Sequence, residues 1–144
     1  MIANGNENAL PLMALMTRLR RCCDQREMQV REETGLSGAE YAGMLAFPVG
    51  AAISASGLAE RMGLSLSRVS RIVDRMVERG LVTRVPSAQD RRAVELSLTA
   101  EGSRVRTQLD DCLRRCDTTI REHLSDRELS VAGEGLDLLL GAME

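Results

Sequence analysis

Hydrophobic residues along the chain recur mostly three and four positions apart, which is the spacing of amphipathic helices. This pattern predicts a first helix over residues 10–30, with a stop at Gly35. It predicts a short second helix over residues 38–47. Ser37 precedes that helix and Glu40 is its third residue, which is the arrangement of a capping box.

The middle and end of the chain predict further helices and one hairpin. A glycine or a hydroxyl residue marks most of the boundaries. The predicted elements of the middle are an extended stretch over 51–54, a helix capped by Ser56 and ending near Met62, a helix over 66–79 capped by Ser65, and strands over 81–85 and 93–98 around a polar loop. Thr99 is predicted to cap a long helix that ends near His123. A last helix is predicted from Ser125 to about Met143, with its helical character broken by Gly133 and Gly135. The predicted fold is therefore mainly α with a small β-hairpin wing.

The helix over 66–79 has two contrasting faces. Its apolar stripe, predicted to face the core, contains Leu66, Val69, Ile72, Val73, Met76 and Val77. Its opposite face carries Ser67, Arg68, Ser70, Arg71, Asp74 and Arg75. Small hydroxyls beside arginines suit a helix in a major groove, because serine bonds phosphate and arginine bonds guanine. An ordinary solvated helix face is the alternative interpretation.

The order of elements favours the DNA-reading interpretation. A short helix precedes residues 66–79 across a Gly63-Leu64 turn, and a hairpin with a basic tip follows directly. Helix, turn, helix and hairpin is the order of a winged helix-turn-helix.

Charge is distributed unevenly. The formal net charge is −2. Residues 61–92 hold eight arginines and three acidic residues, so this window is +5 and the rest of the chain is −7. A local basic patch can bind phosphates even on an acidic protein.

Several runs resemble the MarR family of winged-helix regulators. They are Leu58-Ala59-Glu60-Arg61-Met62-Gly63, the segment from Val69 to Val82, Asp90-Arg91-Arg92, and Leu96-Ser97-Leu98-Thr99-Ala100-Glu101-Gly102. The resemblance implies one winged-helix regulator over 1–144, with a DNA-binding unit at 51–98. It also implies N- and C-terminal dimerisation or sensor helices at 9–35 and 99–144.

The resemblance also assigns residues to DNA. The expected major-groove residues are Ser65, Ser67, Arg68, Ser70, Arg71 and Arg75. Arg91 or Arg92 is expected to enter a minor groove, where a narrow groove concentrates negative potential. Asp90 is expected to orient the wing through a nearby arginine. A simple polar turn is the alternative for these wing residues.

Four cysteines lie outside the predicted DNA-binding unit. Cys22 and Cys23 are in the first helix, and Cys112 and Cys116 are one helical turn apart in the fifth. In the MarR family these two helices pack together, so the thiols are expected to converge within one subunit or across two. Flanking arginines favour the thiolate, which binds metals and reacts with oxidants. Alternatively, Cys112 and Cys116 are core residues on a stripe with Val105, Leu109 and Ile120.

The positions of the cysteines on their helices favour some kinds of cysteine chemistry over others. Adjacent helical residues point about 100° apart, so Cys22 and Cys23 fit one tetrahedral zinc ion poorly. An iron–sulfur cluster tolerates a wider spread of thiolates. We expect a cluster or a redox disulfide ahead of zinc, and His123 is not expected to be a ligand.

Several other classes of protein are disfavoured. A single histidine, no Gly-rich phosphate loop and no paired acids argue against an enzyme. No apolar run is long enough to cross a membrane, and no signal peptide is evident, so a cytoplasmic protein with no membrane partner is expected. The expected partners are a double-stranded DNA operator and a second copy of the chain. The alternatives are a regulator that senses a small organic ligand with its cysteines in the core, and a winged-helix protein-interaction module.

Overall fold

The computed structural model describes residues 11–144. The helices are α1 (Leu12–Thr34), α2 (Gly38–Ala46), α3 (Ala55–Met62), α4 (Leu66–Glu78), α5 (Ala100–His123) and α6 (Asp126–Met143), and the strands are β1 (Val82–Pro86) and β2 (Val94–Leu98). The fold is mainly helical with one hairpin, as predicted. Residues 9 and 10, where the first segment was expected to begin, lie outside the described residues. Within 11–144, no helix is long and apolar enough to cross a membrane.

Hydroxyl caps begin most of the helices. The predicted capping box is present: the Ser37 hydroxyl accepts the Glu40 N–H at 3.2 Å, and the Glu40 carboxylate accepts the Ser37 N–H at 2.7 Å. Ser125 and Glu128 form a second box at α6, which continues without interruption through its glycines.

The cap predicted for α3 was wrong. Ser54, not Ser56, is the N-cap residue, and its hydroxyl accepts the N–H of Gly57 at 3.0 Å. The reason is tertiary, because Ile53 forms a β-bridge with Leu96 and keeps the chain extended up to Ser54. Ser65 has the backbone of a cap, but its hydroxyl does not bond the α4 backbone and lies 3.3 Å from the Ser67 hydroxyl.

The buried hydrophobic core lies between residues 30 and 109. Its members are Val30, Leu36, Met44, Phe47, Leu58, Ala59, Val69, Ile72, Val73, Met76, Leu81, Val82, Leu96, Val105 and Leu109. Two stripe predictions were too broad. Leu66, in the first turn of α4, and Ile120, far along α5, are both about half exposed.

The hairpin docks onto α5 through a tight joint. β1 and β2 pair antiparallel, with Val82 opposite Leu98. The Thr99 N–H donates to the Leu81 carbonyl at 3.0 Å. A Cβ atom on Gly102 would lie only 1.9 Å from that same carbonyl oxygen, so the close approach requires glycine. This contact explains the Thr-x-x-Gly spacing in physical terms.

Candidate DNA interface and thiol cavity

Helix α4, the predicted recognition helix, is oriented by its buried face. Val69, Val73 and Met76 are almost fully buried, which turns the opposite side of the helix to solvent. That side exposes Ser67, Arg68, Ser70, Arg71 and Arg75, as predicted from the helical pattern. Across residues 11–144, no ion pair includes any of these three arginines. Their guanidinium groups are therefore available to an external anion.

The fourth charged residue on this face is held by the wing. Asp74 of α4 accepts a hydrogen bond from Arg84 of β1, with 2.5 Å between the oxygen and nitrogen. The pair neutralises the acidic residue on the recognition face and connects α4 to the hairpin. Sequence reasoning missed this link, because a ten-residue separation across a turn gives no local signal.

A buried serine organises the wing tip. The Ser87 hydroxyl donates to a Glu95 carboxylate oxygen at 3.1 Å across the hairpin. It also accepts the backbone N–H groups of Gln89 and Asp90, at 3.2 and 3.4 Å. Ser87 was not predicted as a wing residue, and its position in the polar loop was the only signal in the sequence.

Asp90 orients the wing differently from the expectation. Its carboxylate accepts the backbone N–H of Arg92 at 2.9 Å, and no ion pair within residues 11–144 includes it. The short turn brings the carboxylate back onto the main chain, so an arginine side chain is not needed. Arg91 and Arg92 both lie exposed at the tip.

The four cysteines line one cavity between α1 and α5. It has a volume of about 390 Å³. Its lining comprises Leu19, Cys22, Cys23, Arg26, Glu27, Tyr41, Cys112, Leu113, Cys116, Thr119 and Ile120. Cys22 and Cys23 are exposed, whereas Cys112 and Cys116 are partly buried. Within one chain, the fold thus gathers four thiols that lie up to 94 positions apart in sequence.

Cys112 is not activated as the neighbouring arginines suggested. Burial raises the pKa of the Cys112 thiol, and the neighbouring Cys116 raises it further. Arg115 acts in the opposite direction but does not reverse the shift. Cys112 is therefore a protonated thiol at neutral pH, which makes it a slow nucleophile in this structure.

Tyr41 is a cavity residue that the sequence did not identify. Burial raises the pKa of its phenol, and the negative charge of Glu27 and of the ionised forms of Cys112 and Cys116 adds to the increase. Tyr41 therefore contributes a neutral phenol to the cavity lining. It is one of only two aromatic residues in the chain.

The four thiols surround the cavity without forming a preassembled ion site. Among residues 11–144, no three His, Cys, Asp or Glu side chains are grouped so as to hold a metal ion. The His123 ring lies at the end of α5, with Nδ1 2.7 Å from the Thr119 carbonyl oxygen. Any metal centre here would require the side chains to rearrange.

Comparison with solved structures gives the same fold. The DNA-bound FabT of Streptococcus pneumoniae superposes with a TM-score of 0.79, at 22% identity, over 91% of this chain and 93% of that chain. PcaV of Streptomyces coelicolor, solved with its natural ligand, gives a TM-score of 0.64 at 26% identity, over 94% and 99% of the two chains.

A curated relative shares part of the sequence. The uncharacterised HTH-type transcriptional regulator YfiV of Bacillus subtilis is 34% identical over 92 residues, covering 64% of this chain and 58% of YfiV. The chain therefore spans less than two thirds of the length of that relative. Residues 32–93 match the profile of the MarR family, from the end of α1 to the hairpin. The chain is therefore similar to the MarR family over residues 32–93.

Proposed function

We propose that this protein is a transcription regulator, not an enzyme, and that it binds a double-stranded DNA operator as a homodimer. The observation that carries the proposal is the outer face of α4, where Arg68, Arg71 and Arg75 are exposed and outside every ion pair described for residues 11–144. Unpaired guanidinium groups on a helix bind phosphates and guanine edges. The exposed wing arginines, 16 to 24 positions further along the chain, extend this surface.

Exposed apolar side chains support the homodimer. In α6 no residue is buried, although Val131, Leu136, Leu138, Leu140 and Met143 are all large and apolar. The first turns of α1 expose further leucines and methionines. Apolar surface of this extent usually marks an interface, and a second copy would bring an identical surface to meet it.

The DNA proposal is tested with a duplex selected from a random-sequence library by the protein itself. We expect a near-palindromic site, with half-sites about one helical turn apart. Affinity should fall steeply with salt, because binding releases counterions from phosphates. If no sequence is enriched and the weak binding is the same for every duplex, the chain is not a sequence-specific regulator. A protein-interaction module would then be favoured.

For the effector, we propose that the four cysteines form a redox switch or hold a metal centre. The support is their position on one cavity between α1 and α5. A hydroperoxide would supply the oxidant: the first thiol attacks the O–O bond, giving a sulfenic acid and an alcohol or water. A second thiol then displaces water from the sulfenic acid and forms a disulfide. A bridge from α1 to α5 would fix the spacing of these helices.

A metal centre would use the same four thiols as ligands. Their chemistry suits an iron–sulfur cluster, and zinc less well, because Cys22 and Cys23 are adjacent on one helix. Binding would have to draw the thiols closer together than they lie in this structure.

The effector proposal is tested by anaerobic purification and by analysis for iron, sulfide and zinc. The metal-free protein is then treated with hydrogen peroxide, and disulfides are mapped by mass spectrometry. We expect either a bound metal or an α1–α5 disulfide, together with an altered operator affinity. A quadruple Cys→Ser variant that responds to oxidant as the parent does, in a protein without metal, would eliminate both forms of the proposal.

A small organic ligand is the second candidate effector. The cavity volume of about 390 Å³ lies within the range of small-molecule sites. Aromatic residues, which often line such sites, are scarce in the chain, but Tyr41 lies in the cavity wall. A compound that lowers operator affinity equally in the parent and in the quadruple Cys→Ser variant would favour this candidate.

A further inference from the structure

Arg79 joins the end of the recognition helix to the end of α1. It is the C-cap residue of α4. One guanidinium nitrogen, Nη1, donates to the Gly35 carbonyl at 2.9 Å and to the Glu40 carboxylate at 3.0 Å. The other, Nη2, donates to the Thr34 carbonyl at 3.4 Å. One side chain thus contacts the last residues of α1 and the first turn of α2.

Helix dipoles favour this joint. The carbonyl oxygens at the C-terminus of α1 carry partial negative charge and attract the Arg79 guanidinium. The Glu40 carboxylate lies at the positive N-terminus of α2, almost fully buried. Burial alone would raise the pKa of Glu40, but hydrogen bonds from Ser37 and the charge of Arg79 lower it below its ordinary value. The pair is therefore ionised and intact at neutral pH.

Arg106 makes a comparable joint between α5 and α2. Its guanidinium donates to the Met44 carbonyl at 2.8 Å and to the Phe47 carbonyl at 2.7 Å, both at the C-terminal end of α2. Asp110, one turn further along α5, holds the same side chain at 3.0 Å. Arg106 is only 15% exposed, so its position is well constrained.

Arg79 of α4 thus bonds the end of α1, one thiol-bearing helix, and Arg106 of α5, the other, bonds the end of α2. Cys22 and Cys23 lie on α1 roughly 17 Å from the Arg79 joint, at 1.5 Å per helical residue. Cys112 lies less than two turns beyond Arg106 on α5. Arg79 lies at the end of α4 itself, and α2, which Arg106 bonds, packs against α4.

We propose that Arg79 and Arg106 are positioning residues that transmit changes at the four-thiol cavity to the recognition helix. This inference rests on the proposed function of the cavity and of α4. It assigns neither arginine a contact with DNA or effector. The joints are expected to act as rigid links, because each guanidinium bonds backbone carbonyls at a helix end rather than a mobile side chain alone.

The test needs no DNA. N-ethylmaleimide adds across its double bond to the cavity thiols as a thioether, and amide hydrogen exchange then reports on residues 34–40 and 76–81. In the parent protein, we expect alkylation to accelerate exchange about tenfold in both segments, since local opening governs exchange. In Arg79→Gln, alkylation should leave the amide exchange rate of residues 76–81 unchanged. Arg79→Lys, which keeps the charge and part of the bonding, should restore part of the response.

Controls separate transmission from general destabilisation. Arg104→Gln removes an exposed arginine that pairs with Glu101 within α5, two residues from Arg106. It should leave the alkylation response at the parent level, whereas Arg106→Gln should reduce it. If alkylation of the parent does not affect residues 76–81, or if the response persists in Arg79→Gln and Arg106→Gln, the inference is wrong.

A second measurement distinguishes this inference from the proposed function. With the selected duplex, Arg79→Gln should bind about tenfold more weakly but keep the salt dependence of the parent, because Arg79 contacts no phosphate. If the slope of the logarithm of affinity against the logarithm of salt concentration decreases by about one, Arg79 is a phosphate ligand and the positioning role is wrong. A parent that selects no duplex contradicts the proposed function, while the exchange experiment still decides whether the joints transmit.

Discussion

The chain has two regions that differ in whether their apolar side chains are buried within one subunit. The winged-helix body, residues 30–109, contains all fifteen buried hydrophobic residues described for the protein. The helical arms, residues 12–29 and 110–143, contain none of them, although their leucines, methionines and valines are just as apolar. The body buries its core within one subunit, whereas the arms present theirs to solvent in the single chain.

The contrast is sharpest along α5, which crosses from one region to the other. Val105 and Leu109 are almost fully buried, whereas Leu113 and Ile120 are about half exposed. The same apolar stripe of α5 is therefore part of the core near the start of the helix and is exposed further along. Periodicity shows that a face is apolar, but not which surface covers it.

The largest effect is expected from charging the arms. Leu136→Asp with Leu140→Asp places two carboxylates on one face of α6 and should convert a homodimer to a monomer. Affinity for a palindromic duplex should fall by about a hundredfold or more, since one subunit can no longer assist the other. Light scattering and gel shifts measure the two effects. Ser130→Asp, beside Glu134, is the matched control. A double variant that stays dimeric would show that α6 is not the interface.

A pair of truncations on α5 tests the boundary between body and arm. In the monomeric variant, Leu109→Ala should lower the free energy of unfolding by about 2–5 kcal/mol, because it leaves a cavity in the core. Leu113→Ala, one turn further, should cost less than about 0.5 kcal/mol. Urea unfolding gives both values. Equal losses would mean that the arm is packed as tightly as the body.

The proposed DNA-binding surface of the body is tested by removing single arginines. Arg71→Ala should weaken operator binding by about 1–3 kcal/mol and relax base preference at one position, if that guanidinium reads a guanine. Arg91→Ala and Arg92→Ala should weaken binding with less change in major-groove preference. Fluorescence anisotropy against variant duplexes measures this, with Arg104→Ala as the control outside the surface. Parent-like binding by all three variants would rule out this recognition face.

The smallest effect is expected at Glu40 of the body, which pairs with Arg79 near the end of α1. The lowered pKa of Glu40 means that its contribution to stability is present above its unfolded pKa of about 4.3 and is lost as the pH falls through the folded pKa. Glu40→Gln should lower the free energy of unfolding by about 1 kcal/mol at pH 7, with the solvent-exposed edge of Arg79 limiting the effect. Below about pH 4 the difference should shrink.

Thermal unfolding across pH 3–7 measures the Glu40 effect. Glu60→Gln, an exposed acid on α3, serves as the control and should leave the profile of the parent unchanged. A Glu40→Gln penalty that is the same at every pH would point to lost packing rather than to lost charge.

Local sequence signals predicted much of the fold because their partners are near in the chain. The capping box of Ser37 and Glu40 spans three residues, and Thr99 caps α5 with a bond to the N–H of Gly102. Where a boundary depended on a distant partner, prediction failed. The strand-like bridge of Ile53 with Leu96 moved the α3 cap to Ser54, and neither residue signals the other locally.

The candidate sites divide in the same way. The solvent-facing arginines of α4 followed from helical periodicity, since the buried face fixes the opposite one. The sequence also placed the cysteines on α1 and α5. It did not predict that Tyr41 lines the same cavity. The prediction that neighbouring arginines lower the thiol pKa was wrong for Cys112, because burial raises this pKa by more than the charge of Arg115 lowers it.

The sequence by itself determined the order of elements, most helix ends and the outward face of α4. These follow from interactions across a few residues, where the chain has little freedom to choose other partners. Only the tertiary structure decided the Asp74–Arg84 link, the shared thiol cavity and the arginine joints. Arg79 bonds a residue 39 positions away, and Arg106 bonds one 62 positions away. Such contacts depend on how packed helices bring distant side chains together, and no local pattern encodes that geometry.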